Sequence, residues 1–518
     1  MTSHMFLKFN SLLVGLVFSP KRFYALISFI VVSHFIIRGL LYPGAPNDDA
    51  EQLLFSQVFR GGYDVFNPPL YTWMVIAVQQ IVGTEIWSVS IIKFSLYFLI
   101  YHFMYTLGLR VLEDYHTAIL AALSPFLLYY IAWDSVLSYS HSVLATVFIL
   151  ATLVSLLRVF DHRNVASYSL FGLLMGLGLL SKYTYGMFLI SMMVSVVTLP
   201  TFRTALLNKK LLISLIIMVL IVSPHALWLF ENTDIISGAI SNKFEIKRVN
   251  TVLGGRLKGL GSMMTSIVNF ASPLWIILLV VFWKPILTRL KTKEEATPLT
   301  RYLLNYLIVA LGLMIALILI SGVSKVRAHY MFLFIPFPIA FFAWMRPQLE
   351  LSSKRIRLFR GVLISISLLV LGGMTVKYII EPHRCKRCQL LVPYKDIGQK
   401  IRDIGFHNGT IIGYYFPHDL AGNLRTSFPD TSIVSTKYPT FVREQKRPTG
   451  QCLIIWMPMP EGVMNGQGMT DYLNTNYGAQ LGFDAYKGKS FSFEFDRTKG
   501  RTSRLDYMFF SNGVGTCQ

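Results

Sequence analysis

Three carboxylates stand together directly after the first apolar segment of the chain: Asp48, Asp49 and Glu51. The apolar stretches that dominate the sequence exclude such groups, because desolvating a charge costs several kcal/mol. Acids placed beside an apolar segment are suited to accept protons from a substrate carried in lipid. A structural alternative exists for each residue. Asn47 and Asp48 are both good N-caps for a helix over residues 50–59, and the first turn of a helix favours acids in any case.

A fourth acid, Asp134, lies in the short segment Ala-Trp-Asp-Ser between two later apolar stretches. An unpaired carboxylate would be costly to bury there, so Asp134 is expected to reach water or to meet a cation. We interpret it as a second candidate catalytic acid. The alternative is that Asp134 only caps a loop.

Basic side chains in other loops could bind a phosphate. Lys182 is the only charge at the junction of two short apolar stretches, and its alternative role is a lysine that snorkels to the membrane interface. A second loop combines cationic and aromatic side chains, and a guanidinium there suits bidentate phosphate binding. Its candidate residues are Lys325, Arg327, His329 and Tyr330.

Two further groups remain open. The basic run from Lys243 to Lys258 could close over a lipid phosphate or only touch anionic headgroups. Arg38, near the end of the first apolar segment, could snorkel or pair with the nearby acids. His225 is more typical of a satisfied core residue than of a ligand.

The elements that must position these residues are membrane helices. The 518-residue chain is 53% hydrophobic and 14% charged, whereas soluble domains carry about 25% charged residues. Its length and apolar content predict an all-α polytopic membrane protein with about 11 spans. The apolar stretches lie near 23–41, 87–109, 115–131, 137–157, 166–180, 185–199, 211–229, 263–283, 302–322, 330–345 and 361–380.

The distribution of Lys and Arg predicts the orientation. With the N-terminus inside, the cytoplasmic segments hold roughly twice as many basic residues as the opposite short loops. An odd number of spans then places residues 381–518 outside, together with the outer loop 42–86 that carries the acids. Most of the Lys and Arg residues behind the net charge of +21 set the membrane orientation or face membrane lipid. The net charge therefore does not predict a nucleic-acid partner.

Residues 381–518 differ from the apolar part and predict a small mixed α/β domain outside the membrane, after a transmembrane domain over 1–380. Short β-like runs separated by turn residues occur there. All four cysteines also lie in this region: Cys385, Cys388, Cys452 and Cys517. Export favours disulfides over the alternative of a four-cysteine zinc site, since a second CxxC is missing.

Several motifs resemble one known family in order along the chain. The segments are DDAEQLLFSQ from Asp48, PPLYTW from Pro68, GLGLLSKYT from Gly176, SPHALW from Ser223 and KVRAHY from Lys325. Over roughly residues 20–345 the chain resembles the polyprenyl-phosphate-sugar-dependent glycosyltransferases of the GT-C fold. Within this group it looks closest to the bacterial lipid A and lipopolysaccharide-core branch, which includes aminoarabinose and galacturonic acid transferases. Its resemblance to protein O-mannosyltransferases is more distant.

This resemblance implies transfer of one sugar from a polyprenyl phosphate to an envelope glycolipid or glycan. The reaction would occur on the periplasmic side of a bacterial inner membrane. It implies that Asp48 is at the reaction centre and that Asp134 helps orient a substrate. The family usually has Asp-Glu where this chain has Asp48-Asp49, so a metal or substrate contact at Asp49 is in doubt.

The implied chemistry needs few groups. Phosphate is a leaving group of low basicity that needs charge compensation, while the acceptor hydroxyl can need a base, and one displacement inverts the anomeric carbon. We expect no cofactor and no metal, because basic side chains suffice for a monophosphate and no metal-binding motif occurs in an outer loop. The rival hypotheses are a protein O-glycosyltransferase of the same fold and a transporter or flippase for lipid-linked sugars.

Overall fold

The computed structural model describes residues 19–233, 252–292, 294–349, 353–385, 388–414, 418–438, 441, 450–457 and 489–510. These residues form two compact units. The helical unit comprises Met1–His34 and Lys93–Gly373, and the mixed unit comprises Phe35–Ile92 and Met374–Gln518. The domain boundary at residue 380 stays a prediction. The compact units group residues 35–92, which carry the first acids, with the C-terminal region.

The longest elements of the described chain are apolar helices. Seven of them are long and apolar enough to cross a membrane: Pro20–Leu41, Ile86–Leu112, Ser140–His162, Leu211–Glu231, Pro298–Ser321, Tyr330–Gln348 and Lys354–Arg384. An eighth span is reached if Tyr185–Val197 and Pro200–Leu206, bent by 117° at their junction, count as one. Other described helices of the helical unit include Tyr115–Leu123, Val165–Leu179, Val252–Ala271 and Leu274–Lys291.

The predicted count of eleven spans is therefore not confirmed within the described residues. One physical reason is visible at the apolar stretch 263–283, which is divided between helices Val252–Ala271 and Leu274–Lys291. Pro273 stands at the break, and proline disfavours a continuous helix because it lacks an amide hydrogen. Another is that residues 165–179 form a helix too short to span a membrane alone.

Small residues allow close packing inside the helical unit. A Cβ at Gly172 would lie 2.4 Å from the carbonyl oxygen of Ser214, so the backbones of Val165–Leu179 and Leu211–Glu231 touch there. The Ser214 hydroxyl donates to the carbonyl of Tyr168 at 2.6 Å in the same contact. Such small-residue contacts are typical of helix packing in membranes.

The mixed unit is built on a five-stranded sheet, which confirms a small sheet in the C-terminal region. Its strands are β1 (Gly409–Gly413), β2 (Ser432–Ser435), β3 (Gln451–Trp456), β4 (Lys489–Glu494) and β5 (Thr502–Phe510). Their order is β2-β1-β3-β5-β4, with β2, β1 and β3 parallel and the other pairings antiparallel. The unit's helices are Asn47–Phe55, Leu70–Val82, Tyr394–Asp403 and His418–Leu424.

Residues far apart in sequence form one core in this unit. Leu54, Phe55 and Tyr63 are buried together with side chains of the sheet such as Ile433. The carboxamide of Gln57 extends the sheet edge: it donates to the Ile433 carbonyl at 2.7 Å and accepts from the Ile433 amide at 2.8 Å. The segment after the acids is thus folded onto β2, the edge strand.

The predicted disulfide chemistry is confirmed at Cys385 and Cys388, which are joined in one disulfide. Cys452 also takes part in a disulfide, and Cys517 lies outside the described residues. A zinc site built on all four thiolates is therefore wrong, because bridged sulfurs cannot serve as thiolate ligands.

Candidate functional site

The acidic helix, Asn47–Phe55, carries the first three acids. It begins after Pro46, which makes no side-chain capping bond, and Asn47 has a φ of +40°. Asp48 therefore lies inside the first turn, and the interpretation that it caps the helix is wrong. Its side chain is half-buried, whereas its neighbour Asp49 is completely buried. Asp48 is thus the acid of this pair that substrate can reach.

Asp49 forms a buried ion pair with Arg38. The guanidinium nitrogen lies 2.5 Å from a carboxylate oxygen, and both side chains are at most 1% exposed. The alternative that Arg38 pairs with the acids is confirmed, and the snorkelling interpretation is wrong. Breaking such a pair leaves an uncompensated buried charge. Asp49 therefore has a structural role, while its predicted contact with substrate stays a prediction.

Glu51 is held by a residue that the sequence did not suggest. The Tyr438 hydroxyl donates to its carboxylate at 2.6 Å. Burial raises the pKa of Glu51 to about 8, and the negative charges of Asp64 and Asp48 add to the effect. The Tyr438 bond and Lys437 act in the opposite direction. Glu51 therefore carries a proton in the folded protein over much of the neutral range.

This shift predicts a pH dependence of stability. Because the folded-state pKa of about 8 exceeds the ordinary 4.5, folding retains a proton that the unfolded chain releases. The contribution of Glu51 to stability should fall between those two pH values, by at most about 1.4 kcal/mol per pH unit. Glu51→Gln is neutral at every pH and keeps an oxygen for Tyr438. It should raise the melting temperature at pH 9, and the gain should shrink toward pH 5.

The matched control is Asp403→Asn, which neutralises an exposed carboxyl of the same unit. Melting curves of detergent-solubilised protein across this pH range provide the measurement. If the melting temperatures of wild type and Glu51→Gln depend on pH in the same way, the inference that Glu51 is protonated in the folded protein is contradicted.

The C-terminal region supplies further polar groups near these acids. Asp419 accepts a hydrogen bond from the Asn47 amide. Burial raises the pKa of Asp419 to about 6. The positive charge of Lys437 opposes this rise, and the negative charge of Asp48 adds to it. We call Asp48, Glu51, Asp64 and Asp419 the acidic cluster. Sequence reasoning missed Asp64, Asp419, Lys437 and Tyr438. The available signal was that Lys437 and Tyr438 lie two and three residues after the end of strand β2.

The basic cluster, Lys182, Lys325 and Arg327, belongs to the helical unit. The Lys182 ammonium donates to the hydroxyl of Ser142, at the start of helix Ser140–His162, and lies 6.0 Å from the ring centroid of Tyr330. These contacts bring together two of the predicted residues, Lys182 and Tyr330, whose role in binding stays a prediction. They also hold the half-buried lysine side chain against the helical unit.

Lys325 and Arg327 are exposed on either side of buried Val326. The Ser262 hydroxyl bonds to both the amide and the carbonyl of Val326 at 3.0 Å, and Ser266 donates to the same carbonyl at 2.8 Å. Helix Val252–Ala271 therefore fixes the loop while leaving both cations accessible. His329 has no described side chain, and Lys243, Lys247 and Arg248 lie outside the described residues.

Asp134 ends a short π-helix, Tyr130–Asp134, and is half-buried. It accepts a hydrogen bond from Tyr129, and burial together with this carboxylate raises the tyrosine pKa. Single π-turns recur at functional sites because they re-aim side chains. Among the described residues, no three His, Cys, Asp or Glu side chains form a group able to hold a metal ion. Metal independence stays a prediction.

Comparisons with known proteins define the class. A sequence-family model described as dolichyl-phosphate-mannose-protein mannosyltransferase matches residues 67–228. The chain is 26% identical over 444 residues to the lipopolysaccharide core galacturonosyltransferase RgtA of Rhizobium johnstonii, covering 82% of this chain and 84% of that protein. RgtB of the same organism is 26% identical over 440 residues, covering 83% and 86%.

The fold is similar to that of a solved GT-C enzyme. ArnT from Cupriavidus metallidurans, crystallised with undecaprenyl phosphate, superposes with a TM-score of 0.52 at 11% identity, covering 93% of this chain and 97% of that one. The fold is thus of the ArnT-like GT-C type, and the resemblance to this group is confirmed. The chain is a glycosyltransferase with multiple apolar helices.

Proposed function

We propose that this glycosyltransferase moves one sugar from a polyprenyl-phosphate carrier to the core or lipid A part of lipopolysaccharide. The observation that carries the proposal is the basic cluster. Lys182 is held by Ser142 and Tyr330 within an apolar helical unit, and exposed Arg327 lies on a fixed loop. Cations maintained in such surroundings are suited to a lipid-borne phosphate. The two rhizobial relatives are lipopolysaccharide core galacturonosyltransferases, which supports the proposed acceptor.

The proposed roles follow the charge that develops in the reaction. The basic cluster compensates the phosphate as it leaves the anomeric carbon. Asp48 accepts the proton of the attacking hydroxyl, so that one displacement inverts the configuration. Asp134, with Tyr129, orients a substrate. Undecaprenyl phosphate, the ligand in the ArnT crystal structure, supports a carrier of this kind.

The experiment compares envelope glycolipids of a strain with and without the gene by mass spectrometry. We expect loss of one sugar mass from the lipopolysaccharide core or lipid A when the gene is deleted. The alternative acceptor, protein serine or threonine, is favoured by the mannosyltransferase description that matches residues 67–228. An unchanged glycolipid spectrum together with a lost sugar on envelope proteins would replace our acceptor by that one.

Topology gives an independent prediction. We propose an inner-membrane location with the C-terminal region, residues 381–518, in the periplasm. The N-terminus and the loop 284–301 would lie in the cytoplasm, because basic residues concentrate in these segments. Alkaline phosphatase fused after residue 510 should be active, since it folds only after export. Fluorescence of a cytoplasm-dependent reporter at that position would contradict both this orientation and the periplasmic reaction.

A further inference from the structure

The start of the acidic helix has no cap of its own. The segment before it reads Tyr-Pro-Gly-Ala-Pro over residues 42–46, and its two prolines have no amide hydrogen. Pro46 makes no side-chain capping bond, and Asn47 adopts a φ of +40°. A nine-residue helix is marginal by itself, since the nucleation of its first turn is unfavourable. The position of Asp48 must therefore be fixed by other residues.

Asn423 supplies this fixation from the C-terminal region. Its side chain is completely buried. Its carboxamide oxygen accepts from the Ala45 amide at 2.6 Å, and its nitrogen donates to the Ala45 carbonyl at 2.8 Å and to the Asp419 carbonyl at 2.8 Å. Only a carboxamide offers a donor and an acceptor side by side. Both backbone groups of Ala45, three residues before Asp48, are thereby fixed.

The helix that carries Asn423 contacts the acidic helix at two further points. This crossover helix, His418–Leu424, follows strand β1 and leads to β2. A Cβ at Gly422 would lie 1.9 Å from the Ala50 carbonyl oxygen, so the two backbones touch there. Asp419 accepts a hydrogen bond from the Asn47 amide. Residues 419, 422 and 423 share one helical face, and this face contacts the chain on both sides of Asp48.

We propose that Asn423 is a positioning residue for the Asp48 carboxylate, acting through the backbone of Ala45. The inference rests on the proposed catalytic role of Asp48 and extends it, because it makes the crossover helix of the C-terminal region part of the catalytic apparatus. Asn423 touches no reacting atom. Its effect is to keep the first turn of the acidic helix in one place, and misplacement of a catalytic group by about 1 Å can cost 10²-fold in rate.

The test uses the full-length purified protein and the variants Asn423→Ala and Asn423→Asp. The control is Asn408→Ala, which removes an exposed asparagine next to β1. Hydrogen exchange detected by mass spectrometry should show at least about tenfold faster exchange over residues 47–55 in both Asn423 variants but not in the control. The kcat for sugar transfer should fall about 10- to 100-fold. The KM for the lipid donor should stay unchanged, because the basic cluster is intact.

Two results would overturn the proposal: unchanged exchange over residues 47–55, or a kcat per folded molecule equal to that of wild type. If Asn423→Ala does not fold, Asn423→Ser, which keeps one hydrogen-bonding group, is judged by the same two criteria. If wild type transfers no sugar, the proposed function fails. The exchange experiment then decides alone whether Asn423 holds the helix, and unchanged protection there rejects the positioning role.

Discussion

Asp48→Asn should lower kcat for sugar transfer by about 10²-fold or more, because it removes the proton acceptor and keeps the size of the side chain. Folding should survive. Asp48 is half-buried in the first turn of the acidic helix and does not cap it. Its charge raises the pKa of both Glu51 and Asp419, so neutralising Asp48 relieves repulsion within the acidic cluster.

The measurement is turnover with purified lipid donor and glycolipid acceptor, normalised to the monodisperse fraction in size exclusion. Asp49→Asn is the informative comparison, since it disrupts the buried ion pair with Arg38. It should reduce the yield of folded protein more than the kcat of what remains folded. Near-normal turnover of Asp48→Asn would remove the catalytic role proposed here and make Asp134 the leading candidate.

Lys182→Ala and Arg327→Ala should each weaken use of the lipid donor. Each variant removes a cation proposed to face the donor phosphate, and a lost charge-assisted contact costs about 1.5–3 kcal/mol. This corresponds to an increase in apparent KM of about 10- to 100-fold. Arg327→Lys should recover only part of the loss, because an ammonium cannot make the bidentate contact of a guanidinium.

The control for charge alone is Lys209→Ala, an exposed lysine in a segment predicted to be cytoplasmic. It should leave donor use unchanged. Donor titrations at fixed acceptor concentration give the apparent KM for all four variants. Wild-type values for both Lys182→Ala and Arg327→Ala would reduce these residues to interfacial or packing roles.

The composition of the chain was sufficient to predict membrane helices, and the run of β-like segments predicted the sheet. The number of spans was not predictable in the same way. Apolar stretches show where residues avoid water but not where a helix ends, as at Pro273 or at the bend of 117° after Val197. Hydropathy averages over such breaks, whereas packing and proline geometry determine them.

The site was predictable in its local parts only. Adjacent residues in a helix differ in direction by about 100°, so Asp48 and Asp49 must face different surroundings. The sequence does not show which of them meets Arg38. The contacts of Asn423 and Tyr438 could not be predicted from the sequence for another reason. They contact Ala45 and Glu51 across 378 and 387 residues of sequence, and nothing local in either segment indicates the contact.

Transfer from a defined lipid donor tests the central claim most directly. Purified protein is incubated with a ¹³C-labelled sugar on undecaprenyl phosphate and with lipopolysaccharide core acceptor, and the product is analysed by NMR. We predict that the label moves to the acceptor and that its anomeric configuration is opposite to that in the donor. A label that stays on the carrier, or a product with retained configuration, would contradict the account.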